Sequence, residues 1–176
     1  QFPRSSIDED AHNAVVRLQR AGFRTYFVGG GVRDLLLGRT PKDFDISTDA
    51  ELRDVRALFR NARVIGRRFP IVHLRYGART FEVSSFRKRE IPADGAMQAP
   101  LMPQQSHGGP ADDAWARDFT VNALFYDPVR HEVIDHTGGL DDLAARVLRS
   151  VGDPQVWFYE DPVRILRMAR FAARFA

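Results

Sequence analysis

The chain has 176 residues, enough for one sizeable domain or for one domain and the start of another. Its hydrophobic fraction of 44% can build a core, and the absence of cysteine excludes disulfides and thiolate metal sites and is compatible with a cytoplasmic setting. A formal net charge of +3 with a pI near 9.7 permits a polyanionic partner, while no apolar run approaches the ~18 residues of a membrane span and no signal-peptide pattern opens the chain.

Residues 7–21 read as an amphipathic helix, with Ile7, Ala11, Ala14, Val15 and Leu18 at helical spacing and Gly22 as its stop. An apolar strand, Tyr26-Phe27-Val28, then runs into Gly29-Gly30-Gly31 and a helical run from Val32 to Leu37. A glycine-rich strand-to-helix turn lets backbone N–H groups approach phosphate oxygens, and the start of a helix favours anions. Arg33, one turn in, can add a charge-assisted contact. In Lys42-Asp43-Phe44-Asp45-Ile46 acids alternate with apolar residues, as on a half-buried strand. Period two points Asp43 and Asp45 to one side. Two adjacent carboxylates resist joint ionisation unless a cation lies between them. Mg²⁺ suits that place, because it prefers hard oxygens and shares its shell with substrate phosphates. Two such ions roughly 3.5–4 Å apart can hold the attacking and leaving oxygens of a nucleotidyl transfer. A glycine turn, Arg33 and paired aspartates within one short stretch form a far more specific set than any of them alone.

Residues 51–60 predict another helix, with Leu52, Val55, Leu58 and Phe59 inward. Residues 62–76 predict strands broken at Gly66-Arg67-Arg68, where the two arginines are candidates for phosphate contact or for a solvated turn. His73 reads as a structural histidine rather than a metal ligand. Residues 79–87 predict a strand with Phe81, Val83 and Ser85 on one face and Glu82, Ser84 and Phe86 on the other. An acid in mid-strand needs a reason: beside the Asp43–Asp45 strand, Glu82 would be a third carboxylate, able to bind metal or take a proton from an attacking hydroxyl. Residues 88–113 hold four prolines and three glycines without periodicity and read as a long loop. From Asp113 to Pro128 the residues alone allow a helix start capped by Asp118 or Thr120, with Val121, Leu124 and Phe125 inward. Residues 131–149 predict a strand at Glu132–Asp135, a Gly138-Gly139 turn and a helix through Leu140, Leu143 and Val147. A last helix has Asp161 as cap and Pro162 at its first position. It carries Arg167, Arg170 and Arg174 on one face and Arg164 at the margin, with Val163, Leu166, Ala169 and Ala173 as an apolar stripe. The chain starts at Gln1 rather than Met and ends inside this helical pattern, so it reads as trimmed at both ends, and the exposed stripe would favour self-association.

The stretch GGGVRDLLLGRTPKDFDIST resembles the signature of the class II nucleotidyltransferases, which include bacterial poly(A) polymerases and tRNA CCA-adding enzymes. The resemblance runs from Tyr26 to Phe175. It implies an α/β fold: a polymerase-beta-like nucleotidyltransferase head over residues 1–150, then the start of an all-helical neck over 151–176. It implies that Asp43 and Asp45 hold two Mg²⁺ ions and that Gly29, Gly30 and Arg33 meet the nucleotide. Glu82 falls where the family carries an acid. The segment Val64-Ile65-Gly66-Arg67-Arg68-Phe69, with Ile71, His73 and Leu74, is similar to the motif that marks poly(A) polymerases against CCA-adding enzymes. Asp113–Pro128 resembles the Arg-Asp motif, in which Arg117 would contact phosphates and Asp118 would brace the site or join its carboxylates. Ala116 stands where many relatives have a basic residue. The loop before it reads Ser106-His107-Gly108-Gly109-Pro110 instead of the family's acidic and Gly-Thr ending, so no loop role is carried over. Glu160-Asp161-Pro162-Val163-Arg164 resembles the element that reads the incoming base, although Trp157 replaces a frequent Arg; Arg167 and Arg170 extend its basic face. Asp161 can only accept and Arg164 can only donate. Together they match the pairing edges of adenine and cytosine and mismatch guanine and uracil. The implied activity is template-independent addition of AMP from ATP to an RNA 3′ end, on mRNA or tRNA, with no membrane involved. CCA addition to tRNA is the second reading, and a non-catalytic RNA- or nucleotide-binding module is the third.

Overall fold

A computed structural model of the chain describes residues 2–66, 70–88, 108–155 and 163–175. They belong to two compact units, Gln1–Phe86 with Phe125–Ile134, and Arg87–Leu124 with Asp135–Ala176. The sheet and helices of the first unit bear out the α/β expectation.

Helix α1 (Glu9–Arg20) opens where Asp8 accepts hydrogen bonds from the N–H groups of Asp10 and Ala11. Its inward stripe is Ala11, Ala14, Val15 and Leu18, all fully buried. The described strands form one seven-stranded sheet in the order β3-β4-β5-β2-β1-β6-β7. Their spans are Thr25–Val28 (β1), Asp45–Thr48 (β2), Ala62–Ile65 (β3), Ile71–Tyr76 (β4), Arg79–Ser85 (β5), Leu124–Asp127 (β6) and Glu132–Asp135 (β7). Among the described residues β2 and β5 run parallel, while β1 is antiparallel to β2 and β6, and β4 to β3 and β5.

Register decides what each face carries. Phe27, Ile46, Val83, Val72 and Val64 fall in one row across β1, β2, β5, β4 and β3. The next row is Val28, Asp45, Glu82, His73 and Arg63. Neighbouring rows point to opposite faces, so an apolar row alternates with a polar one. Helix α3 (Leu52–Leu58) contacts β3, β4 and α1. It lies over the apolar face, where Val72, Leu74, Phe81 and Val83 are buried while His73, Arg75 and Glu82 remain accessible. Arg79 pairs with Asp8 and Asp10, which ties the β4–β5 turn to the start of α1. No helix among the described residues is long and apolar enough to cross a membrane.

In the second unit, α4 (Pro110–Trp115) has proline in its first turn, and the Asp112 side chain accepts from the Gly109 N–H at 2.7 Å. A 3-10 turn follows at Thr120–Asn122. Helix α5 (Gly139–Ala144) starts on Asp135, whose carboxylate accepts the N–H groups of Thr137, Gly138, Gly139 and Leu140. Burial pushes the Asp135 carboxyl up, but these four donors outweigh it and hold the group below its ordinary range. Asp142 behaves alike: burial raises it, while Arg149 and the Thr120 hydroxyl, 2.6 Å away, bring it down on balance. Helix α6 (Val163–Phe175) leaves Val163, Leu166, Ala169 and Ala173 exposed, the stripe expected from its spacing.

Two expectations are corrected. The aspartate strand starts at Asp45 and leaves Asp43 ahead of it, because its neighbour β1 ends at Val28, opposite Asp45, where the chain turns at Gly29. The possible helix start after Asp118 is instead the 3-10 turn and then β6, because Phe125 and Tyr126 pair with Val28 and Phe27. The inward residues named there, Val121, Leu124 and Phe125, are buried all the same.

Candidate active site

The three consecutive glycines that follow β1 do three different jobs. Gly29 has φ 77° and ψ −144°, which favours glycine and turns β1 sharply into α2 (Gly30–Leu36). A β-carbon on Gly30 would lie 3.3 Å from the Arg33 guanidinium. A β-carbon on Gly31 would lie 3.0 Å from the backbone oxygen of Asp43. Thus the helix start passes close beside the segment that carries the aspartates. Arg33 is 3% exposed, and its Nε and Nη2 donate to Asp34 Oδ1 at 3.0 and 2.8 Å. Its charge therefore lies beneath the glycine turn rather than in open solvent. Asp34 was not among the residues singled out from sequence; an acid directly after an arginine gives no helical-spacing signal, since adjacent positions do not face each other.

Burial still alternates before β2 begins. Phe44 is 7% exposed and Ile46 is fully buried, while Asp43 is exposed and Asp45 half-buried. Both aspartates therefore stand on the side away from the core, as period two requires. Asp45 pairs in register with Glu82 on β5, and Glu82 with His73 on β4. The strand carrying Glu82 is thus the direct neighbour of the strand carrying Asp45, the condition set for a third carboxylate. His73 Nε2 stands 3.5 Å from Glu82 Oε1.

Among the described residues no three His, Asp or Glu side chains form a ready metal cage. Asp43 and Asp45 nevertheless fit Mg²⁺, which is commonly held by one or two carboxylates, with waters and substrate phosphates filling the rest of its shell.

The second unit carries the other expected residues. Arg117 Nη2 donates to Asp113 Oδ2 at 2.8 Å, and Asp113 is fully buried. Asp113 was missed as a functional partner, although its spacing of four from Arg117 was a legible signal. Asp118 Oδ1 accepts from the Phe119 N–H and from Asn122 Nδ2, and its Oδ2 accepts from Arg167 Nη2 at 2.5 Å. The rings of Phe119 and Phe171 meet edge to face. Arg167 is therefore engaged by Asp118, while Arg170 is exposed and Arg164 half-buried on the same helix. Arg67, Arg68, Trp157, Asp161 and Pro162, and most of the loop at 88–113, lie outside the described residues.

The profile of the poly A polymerase head domain matches residues 25–149. The chain is 43% identical over 178 aligned residues to poly(A) polymerase I of Salmonella typhi, an alignment covering 97% of this chain and 38% of that protein. It is 38% identical to the CCA-adding enzyme of Lactobacillus helveticus, over 89% of this chain and 38% of that protein. Among solved structures it is similar to the Bacillus stearothermophilus CCA-adding enzyme in complex with CTP, with a TM-score of 0.78 and 34% identity, covering 93% of this chain and 38% of that one. The chain thus spans about two-fifths of the length of these relatives.

Proposed function

Because this chain belongs to the family of the poly A polymerase head domain, we propose that the full-length protein is a nucleotidyltransferase that adds AMP from ATP to RNA 3′ ends without a template. The observation that carries this reading is the placement of Asp43 and Asp45 on one side, beside the glycine turn, with Glu82 in register with Asp45. A pure binding module has no need of clustered carboxylates next to a phosphate-binding turn.

In the proposed reaction the RNA 3′-hydroxyl attacks the α-phosphorus of ATP and pyrophosphate leaves. Asp43 and Asp45 would hold Mg²⁺, in two ions, which when bound supplies Lewis-acid stabilisation of the charge on the transferring phosphoryl group. The backbone of Gly29 and Gly30 would face phosphate oxygens, with Arg33 adding positive charge from beneath. Glu82 would take the proton of the attacking hydroxyl or add to the carboxylate pair. Arg117, fixed by buried Asp113, would contact phosphates. Asp118 would act as a brace, since both of its oxygens already accept hydrogen bonds. Asp161 and Arg164 would read the base, with Arg170 extending the basic face. On this reading residues 1–150 form the head and 151–176 open the neck.

Poly(A) addition is our first reading, supported by the Val64–Leu74 motif and by the higher identity to poly(A) polymerase I. CCA addition stays as the second reading, because the solved structures similar to this chain include CCA-adding enzymes. The test is extension by the full-length protein of an oligo(A) primer and of tRNA lacking CCA, with each triphosphate alone. Sustained AMP addition to oligo(A) is expected, with ATP and CTP used in preference to GTP and UTP. Addition confined to tRNA would replace the first reading with the second. Asp45→Asn is expected to abolish transfer on either RNA, with an unchanged thermal melt; activity within a few-fold of the parent would remove the metal role of Asp45.

A further inference from the structure

The polar row of the sheet does not stop at the carboxylates. It runs from Asp45 to Glu82 to His73 and then to Arg63, one residue on each of four adjacent strands. Glu82 is a long side chain, half exposed to solvent, and unrestrained it would sample many rotamers. His73 is more enclosed, at 27% exposure, and its Nε2 lies 3.5 Å from Glu82 Oε1. A strand restrains an imidazole more than a glutamate, since the ring has only two side-chain torsions. The pair is therefore asymmetric, with a stiff group beside a flexible one. At 3.5 Å the Nε2–H tautomer faces the carboxylate at the outer edge of hydrogen-bond reach, whether or not the ring is charged.

We propose that His73 is a positioning residue, which holds the Glu82 carboxylate on the row it shares with Asp45. With Oε1 held on the β4 side, the second oxygen is left for the β2 side, where Asp45 stands. This gives the histidine of the Val64–Leu74 motif a physical task that neither the glycine turn nor the aspartates perform. The inference rests on the proposed nucleotidyl transfer for its consequence in rate, but the His73–Glu82 contact itself can be read without turnover.

The experiment uses the full-length protein with His73→Leu, His73→Gln, Glu82→Gln and Asp45→Asn. Partners that orient catalytic and metal-holding groups typically carry about 10–100-fold in activity. His73→Leu is expected to lower kcat for AMP incorporation on the order of tenfold, with KM for ATP little changed. His73→Gln keeps an N–H donor at this position and should recover most of the loss. In long-range ¹H–¹⁵N spectra of the imidazoles, Glu82→Gln should shift the His73 ring and leave the signals of His12, His107, His131 and His136 in place. The proposal is overturned if His73→Leu keeps kcat within about twofold of the parent, if glutamine rescues no better than leucine, or if the His73 signals ignore Glu82→Gln. An active Asp45→Asn would instead bring down the carboxylate reading and the rate effect with it, while the spectra judge the contact separately.

Discussion

Gly31 is the residue on which the geometry of the aspartates turns most directly. Alanine there would gain about 1 kcal/mol of helix propensity over glycine. Its β-carbon would also stand 3.0 Å from the Asp43 backbone oxygen, so one of the two must move by a few tenths of an ångström. The gain and the crowding are of similar size, so stability should change little. Position matters more: a misplacement of ~1 Å can cost on the order of 100-fold in rate. Gly31→Ala is therefore expected to melt within a few degrees of the parent while AMP incorporation falls on the order of tenfold. Steady-state kinetics beside a thermal melt would check this split, and an equal loss in both would mean that Gly31 serves packing alone.

Helix α5 shows how a short element is held where its own propensity is weak. It is six residues long, too short to persist alone, and its first turn rests on the Asp135 carboxylate. Its second anchor is closeness of backbones, because a β-carbon on Gly139 would stand 2.2 Å from the Thr120 oxygen. That distance lies well inside van der Waals contact and meets backbone, which cannot swing away. Gly139→Ala should destabilise the protein by about 3 kcal/mol, the upper end for overpacking. Chemical denaturation with an unchanged m-value would show it. A change below ~0.5 kcal/mol would mean that the Thr120 turn yields freely.

For the whole molecule, two aspartates among the described residues contribute to the acid limb of stability. Asp135 and Asp142 are both more acidic in the folded chain than in the unfolded one. A carboxyl lowered in this way contributes its full stabilisation above its unfolded pKa, near 4, and loses it as pH falls through the lower folded value. The chain should therefore keep a nearly constant melting temperature down to about pH 5 and lose stability below about pH 4. In Asp142→Asn the melting temperature at neutral pH should drop, and the fall below pH 4 should be shallower. Melts followed by circular dichroism from pH 7 to pH 2 would test this, and a variant whose acid limb parallels the parent would remove Asp142 from the account.

Much of this protein was legible in one dimension, because the relevant signals are local. The alternation around Asp43 and Asp45 needs only the period of a strand, and it holds even where Asp43 lies outside the ladder. The α1 stripe, the Gly29 turn and the exposed face of α6 follow likewise from helical spacing and from the conformational freedom of glycine. What spacing could not supply is adjacency between distant segments. That Glu82 stands beside Asp45, and His73 beside Glu82, depends on the sheet order and on a register that a one-residue slip would reverse. The pairing of Asp118 with Arg167 joins residues 49 apart in the chain, and no local pattern marks it. The chain itself thus determined the chemical types and their local facing, whereas tertiary structure alone decided their partners, because strand pairing and long-range ion pairs are set by the packing of whole elements.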